Sequence, residues 1–117
     1  MKADYQPPVI NRTVVIVIPK QPYFDWDKAV FPEATPIQEM MEYNSYLLPE
    51  VELSFDPQKV MKKDWPWIFE NELFSICTDE STWPEKRTWE LFNEWFELQF
   101  STLVLDLGHG PIVREKY

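Results

Sequence analysis

Apolar and polar positions change their spacing along this chain, and each change marks a predicted element. Val14, Val15 and Val17, with Ile16 and Ile18, form an unbroken β-branched run from Arg12 to Pro19. A short apolar run without alternation predicts a strand covered on both faces and central in its sheet. Pro19-Lys20-Gln21-Pro22 reads as a turn, with Pro22 opening a helix through Phe24, Trp26 and Val30. Thr35-Pro36-Ile37-Gln38 has the cap, proline and capping-box order of a helix start, predicting a short helix to about Asn44. Tyr46-Leu47-Leu48 predicts a short strand before Pro49, and the alternation of Val51, Leu53 and Phe55 predicts an edge strand.

The second half repeats the cap-plus-proline signal. Asp56-Pro57 opens a helix, and Asp64-Trp65-Pro66 kinks it or begins a second segment whose apolar face carries Ile68, Phe69, Leu73 and Ile76. Trp89, Phe92, Phe96 and Phe100 recur at i, i+3, i+7 and i+11, so the last helix is expected to run from Pro84 to Phe100. Its apolar arc, widened by Leu91, Trp95 and Leu98, exceeds one amphipathic face and predicts contact with more than one layer. Thr102–Leu107 reads as a closing strand, stopped by Gly108-His109-Gly110-Pro111. The order predicts an α+β fold: a small sheet of three or four strands, mixed in direction, covered by about three to four helices in a single-domain sandwich. A flexible arm is expected over 1–11, the domain over 12–107 and a loose tail over 108–117.

Composition narrows the chemistry. A chain of 117 residues has room for one core. Aromatics reach 16%, too many for all to be fully buried in a monomer this small, so some are expected at a groove or an interface. Both glycines, Gly108 and Gly110, lie near the C-terminus, which excludes a phosphate-cradling glycine loop. The single Cys77 excludes an internal disulfide and a zinc ribbon, and its place on an apolar helix face suits a small buried hydrophobe. No apolar leader follows Lys2 and no run approaches the roughly 20 residues of a membrane span, so the expectation is a cytoplasmic protein. Net charge is −9, and residues 50–100 hold 12 acids against 5 bases. Such a field repels phosphate backbones, so nucleic acid is not an expected partner.

Candidate sites follow from what remains. Lys20, Gln21, Asp79, Glu80 and Arg87 are polar residues set beside aromatics near the start of the last helix. Together they suit either a polar ligand site with acid–base capacity or a capping network. Asp106, in an otherwise apolar strand, reads as an exposed strand end or, if buried, as a partner for Arg12 or Arg87. His109, the only histidine, sits between two glycines, a poor setting for a catalytic base. No cofactor or metal motif is present. Trp83, Trp89 and Trp95 are the candidate aromatic interface.

Several motifs occur in one order: Arg12 to Ile18, Pro19-Lys20-Gln21-Pro22 with Trp26, Tyr46-Leu47-Leu48-Pro49-Glu50, and Thr78-Asp79-Glu80-Ser81-Thr82-Trp83-Pro84 with Arg87. With Phe92, Trp95-Phe96 and Asp106-Leu107, they resemble a family of small bacterial proteins of no established function, over roughly residues 10–107. The resemblance implies a bacterial cytosolic protein and supplies no catalytic residue. The leading functional expectation is a non-enzymatic module that self-associates or docks a protein partner. The alternatives are a small-molecule-binding protein or enzyme using the Asp79/Glu80/Arg87/Lys20 cluster, and an acidic nucleic-acid mimic that engages a basic protein.

Overall fold

The computed structural model describes residues 6–35 and 42–117. Its strands are β1 (Val9–Ile10), β2 (Arg12–Pro19), β3 (Asn44–Pro49), β4 (Phe96–Ser101) and β5 (Val104–Leu105). Its α-helices are α1 (Gln21–Val30), α2 (Pro57–Val60), α3 (Trp65–Phe74) and α4 (Trp89–Trp95). The fold is α+β, with β2 central in a three-stranded sheet of order β3-β2-β4. Both pairings are antiparallel rather than mixed in direction.

Alternation along β2 decides the layers. Thr13, Val15, Val17 and Pro19 are buried, whereas Arg12, Val14, Ile16 and Ile18 are half-buried. Pairing places Leu48 beside Thr13, Tyr46 beside Val15, and Phe100, Leu98 and Phe96 beside Val15, Val17 and Pro19. These residues form the inner face. Against it pack Tyr23 of α1, Ile68, Phe69 and Leu73 of α3, Phe92 of α4, Met61 and Trp83, in one continuous core. Among the described residues, the run expected to be covered on both faces is therefore covered on one. The outer face carries Val14, Ile16 and Ile18, flanked by Ser45, Leu47, Pro49, Glu97, Gln99 and Ser101, and all six flanking residues are exposed.

The last helix is shorter than its spacing predicts. Residues 83–88 are irregular, Thr88 Oγ1 accepts from the Leu91 N–H (3.1 Å), and α4 ends at Trp95. Phe96-Glu97-Leu98-Gln99-Phe100-Ser101 then alternates at period two and pairs with β2. Phe96 and Phe100 satisfy a helical spacing and a strand alternation at once. Strand β2 has backbone groups to pair on this side, and that tertiary contact selects the strand. The closing strand expected over Thr102–Leu107 is reduced to Val104–Leu105.

Between the Val14–Ser101 and Ile10–Val104 pairs, three residues stand on one side (11–13) and two on the other (102–103). The β1–β5 pair thus prolongs the β2–β4 ribbon past a one-residue offset of the kind that bends a bulged strand. Val9 and Ile10, assigned to the arm by the sequence pattern, are paired here. The alternation at Val51, Leu53 and Phe55 does not make a strand. The Phe55 N–H donates to the Glu52 carbonyl (3.1 Å), closing a turn that leaves Leu53 in solvent.

Proline sets the other helix starts. Pro22, Pro57 and Pro66 each stand in a first turn, where the missing N–H costs nothing. Asp56 caps α2 by accepting from the Gln58 N–H (3.0 Å), while Asp64 makes no such bond at α3. Pro66 begins a second segment rather than kinking one helix. Most of the helix expected over Thr35–Asn44 lies outside the described residues, and Asn44 itself opens β3.

Candidate functional site

The polar residues singled out by the sequence bond to different partners. Lys20 Nζ donates to the Asn93 carbonyl (2.9 Å), at the C-terminal end of α4 where a cation is favoured. Gln21 Nε2 donates to Asp25 Oδ1 (2.8 Å) along α1. Asp79 caps a 3-10 turn over Glu80–Thr82, accepting from the Ser81 hydroxyl (2.7 Å) and N–H (3.0 Å). These bonds hold its carboxyl below the usual range, the hydroxyl contributing most. Asp106 Oδ1 accepts from the Gly108 N–H (2.9 Å) in a local turn, while Arg12 donates to Asn11 and Arg87 to Glu70.

Arg87 lies within a clamp of loop and helix. Its Nη2 donates to Glu70 Oε1 (2.9 Å), its Nη1 to the Pro84 carbonyl (2.9 Å), and the guanidinium lies 5.7 Å from the centre of the Trp83 ring. The Trp83 indole N–H donates to the Cys77 carbonyl (2.9 Å). The clamp holds residues 77–88 against α3. The ion pair is part-exposed and stabilises by no more than about 1 kcal/mol.

The candidate interface tryptophans are engaged with the core. Trp83 is buried. The Trp95 ring centre lies 5.7 Å from Phe69 and 6.0 Å from Trp26, and Trp89 lies 5.9 Å from Phe92. Their apolar surface stabilises the helix–sheet junction.

A buried carboxylate, Glu72, was not singled out by its sequence context. It stands on α3 with 1% of its surface exposed. Its Oε2 accepts from the Tyr46 hydroxyl and from Asn44 Nδ2, both at 2.6 Å, and Asn71 Nδ2 donates to the Tyr46 oxygen (3.0 Å). Its backbone carbonyl accepts from the Tyr23 hydroxyl (2.6 Å) and the Ser75 hydroxyl (2.8 Å). Burial pushes the carboxyl up, and the Tyr46 and Asn44 bonds draw it partly back. Burial, followed by the neighbouring carboxylate, pushes the Tyr46 phenol far above its ordinary range. The only sequence signal for this node was a glutamate on the apolar side of a predicted helix, next to Leu73 and Phe69.

Beside the node lies an open recess of about 320 Å³, lined by Asn44, Ser45, Tyr46, Trp67, Asn71 and Tyr117. A second, of about 300 Å³, continues past Trp67 and Asn71 to Glu70, Glu80 and Trp83. Among the described residues, no buried side-chain polar atom lacks a hydrogen-bond partner. Asn44, Tyr46 and Asn71 bond in one network around the Glu72 carboxyl, so the node joins β3 to α3. No cluster of three or more potential metal ligands occurs among the described residues, and no described helix is long and apolar enough to cross a membrane.

The remaining unusual surface is the outer face of the sheet. Val14, Ile16 and Ile18 run in a stripe beside Leu47, which is 55% exposed. Arg12 and Glu97 stand at opposite ends of it, because Arg12 pairs with Pro49 and Glu97 with Ile18. No family model, curated protein or solved structure matches the chain. The resemblance to small bacterial proteins therefore stands on the quoted motifs alone.

Proposed function

We propose that the protein is a non-enzymatic interaction module that docks a polypeptide on the outer face of its three-stranded sheet. One observation carries the reading: the central strand presents three β-branched side chains on a face whose flanking residues are all exposed. Sheets of this kind commonly carry polar residues on a solvated face, whereas a contiguous apolar patch marks an interaction surface. The wider setting supports it. Lys20, Gln21, Asp79, Arg87 and Asp106 are each hydrogen-bonded within the chain, and the Glu72 carboxyl accepts from Tyr46 and Asn44.

The test is site-specific photocrosslinking in cells. A benzophenone side chain replaces Gln99 on the outer face or, as a control, Glu90 on α4. Adducts are expected from the Gln99 position only, and Ile16→Lys on the same chain is expected to abolish them. Absence of adducts at Gln99, or adducts indifferent to Ile16→Lys, overturns the reading.

A further inference from the structure

We infer that the occupant of the outer face is a second copy of this chain, stacked face to face about a twofold axis that crosses β2 at the level of Val15. The inference rests on the docking reading above and adds the partner and its orientation. Two identical faces can meet only if each end of the face complements the end placed over it. The charges here have that property. Arg12 and Glu97 are the charged residues on the outward positions of the three paired strands, and they stand at opposite ends of the Val14–Ile16–Ile18 stripe.

The geometry fits the axis. Arg12 and Ile18 are six residues apart, or about 20 Å along an extended strand. Reversing the strand direction about an axis level with Val15 brings Ile18 and its neighbour Glu97 over Arg12 of the other copy, twice by symmetry. Stacked sheets lie about 10 Å apart, a gap that the long arginine and the glutamate reach across together. The alternative axis, along β2, keeps the strands parallel and places Arg12 over Arg12. That juxtaposes like charges, so the crossing axis is selected. Among the described residues, Arg12 donates only to Asn11 and Glu97 has no cation within ion-pair distance, so neither is committed to an ion pair among them.

The face also sets the strength. Three strands about 4.8 Å apart and about 20 Å long fall well short of the roughly 800 Å² each partner contributes to a standard interface. The dimer is therefore weak, with half-association on the order of 100 µM, and strongly concentration-dependent.

The test is sedimentation equilibrium of the purified full chain, from about 10 µM to about 1 mM. Wild type is expected to shift from monomer to dimer. Arg12→Glu and Glu97→Arg are each expected to weaken association about tenfold or more, and the double variant to restore it within about threefold. Glu97→Arg is the sharpest arm. It lowers the net negative charge of a chain that starts at −9, so general repulsion alone predicts tighter association, opposite to the paired geometry. Gln99→Lys, an exposed change that leaves the inner face intact, is a further variant expected to weaken the dimer. Circular dichroism and thermal midpoints verify that each variant is folded. A wild type that stays monomeric to the highest concentration, or a charge swap that fails to restore dimer, overturns the inference. If the chain stays monomeric while Gln99 yields an adduct of another mass that Ile16→Lys abolishes, only the second-copy inference falls. Loss of adducts as well removes the docking reading with it.

Discussion

The two faces of β2 use nearly the same residues for opposite ends. Val15 and Val17 point inward and are fully buried, whereas Val14, Ile16 and Ile18 point outward and remain half-buried. The inner face meets an aromatic layer in which Phe69 lies 5.6 Å from Phe96 and 5.5 Å from Phe92, centre to centre. Among the described residues the outer face meets no comparable layer, and its flanking rows are polar or exposed. Residue type alone therefore does not distinguish an inward from an outward position in this strand. The difference comes from what the partner elements bring to each side, and inner and outer substitutions should separate stability from association.

The largest expected effect is on the inner side. Phe96 stands on β4 opposite Pro19, almost fully buried, and its ring touches the rings of Tyr23, Phe69 and Phe92. Phe96→Ala is expected to lower the unfolding free energy by about 3–5 kcal/mol, read as a fall in the urea midpoint. Any loss of dimer should be explained wholly by the unfolded fraction. An effect below about 1 kcal/mol would mean that the inner face is not the stabilising side.

The polar node is the next test, because it fastens β3 to α3 beneath the inner face. Tyr46→Phe removes a hydrogen bond to the buried Glu72 carboxylate and should cost about 1–3 kcal/mol. Its pH dependence has a definite sign. Glu72 is raised above its ordinary value of 4.5, so the folded state retains a proton that the unfolded chain has released. Stability from this group is present at low pH and falls as pH rises from about 4.5 through the raised value. Glu72→Gln removes the titration and keeps an acceptor oxygen. Urea midpoints between about pH 4.5 and about pH 7.5 should therefore decline more in wild type than in Glu72→Gln. Parallel profiles would show that the carboxyl does not titrate differently on folding.

The alternation of these faces was only partly legible in the sequence. The β-branched run identified β2 as the central strand, and a first-turn proline marked α1, α2 and α3. The second layer over the outer face was inferred from an apolar run, and a run cannot say how many layers exist. The end of α4 was illegible for a different reason. Phe92, Trp95, Phe96, Leu98 and Phe100 satisfy helical spacing, and Phe96, Leu98 and Phe100 also satisfy strand alternation, so only the free side of β2 chooses between them. Glu72 was missed because its partners, Tyr46 and Asn44, are 26 and 28 residues away and meet it only after β3 docks. Asp79 and Arg87 were visible as residues of interest, yet which groups they bond depends on the turn at Glu80–Thr82 and on Glu70 of α3.

A smaller effect tests the place where strand and helix exchange. Thr88 supplies the cap of α4 through Leu91, and Thr88→Ala should cost about 1 kcal/mol. Because α4 leads directly into β4, the loss should be accompanied by faster amide exchange in Trp89–Trp95 than in β2. Uniform exchange across both elements would show that the short helix and the sheet open as a single unit.

The smallest expected change in stability is also the sharpest test of the outer face. Ile16 is half-buried at the middle of the stripe, level with Ser45 on one side and Gln99 on the other. Ile16→Thr keeps β-branching, so the strand preference is largely retained and the stability change should stay below about 1 kcal/mol. The added hydroxyl, however, faces an apolar partner in a closed interface, where a polar group without a hydrogen bond is disfavoured. Association should therefore weaken about tenfold or more, while the urea midpoint of the monomer barely moves. The same substitution at Val17, on the inner side of the same strand, should reverse the pattern, with a large fall in midpoint and no separate effect on association. Equal responses at the two positions would mean that both faces are covered within one chain, and the contrast between them would not hold.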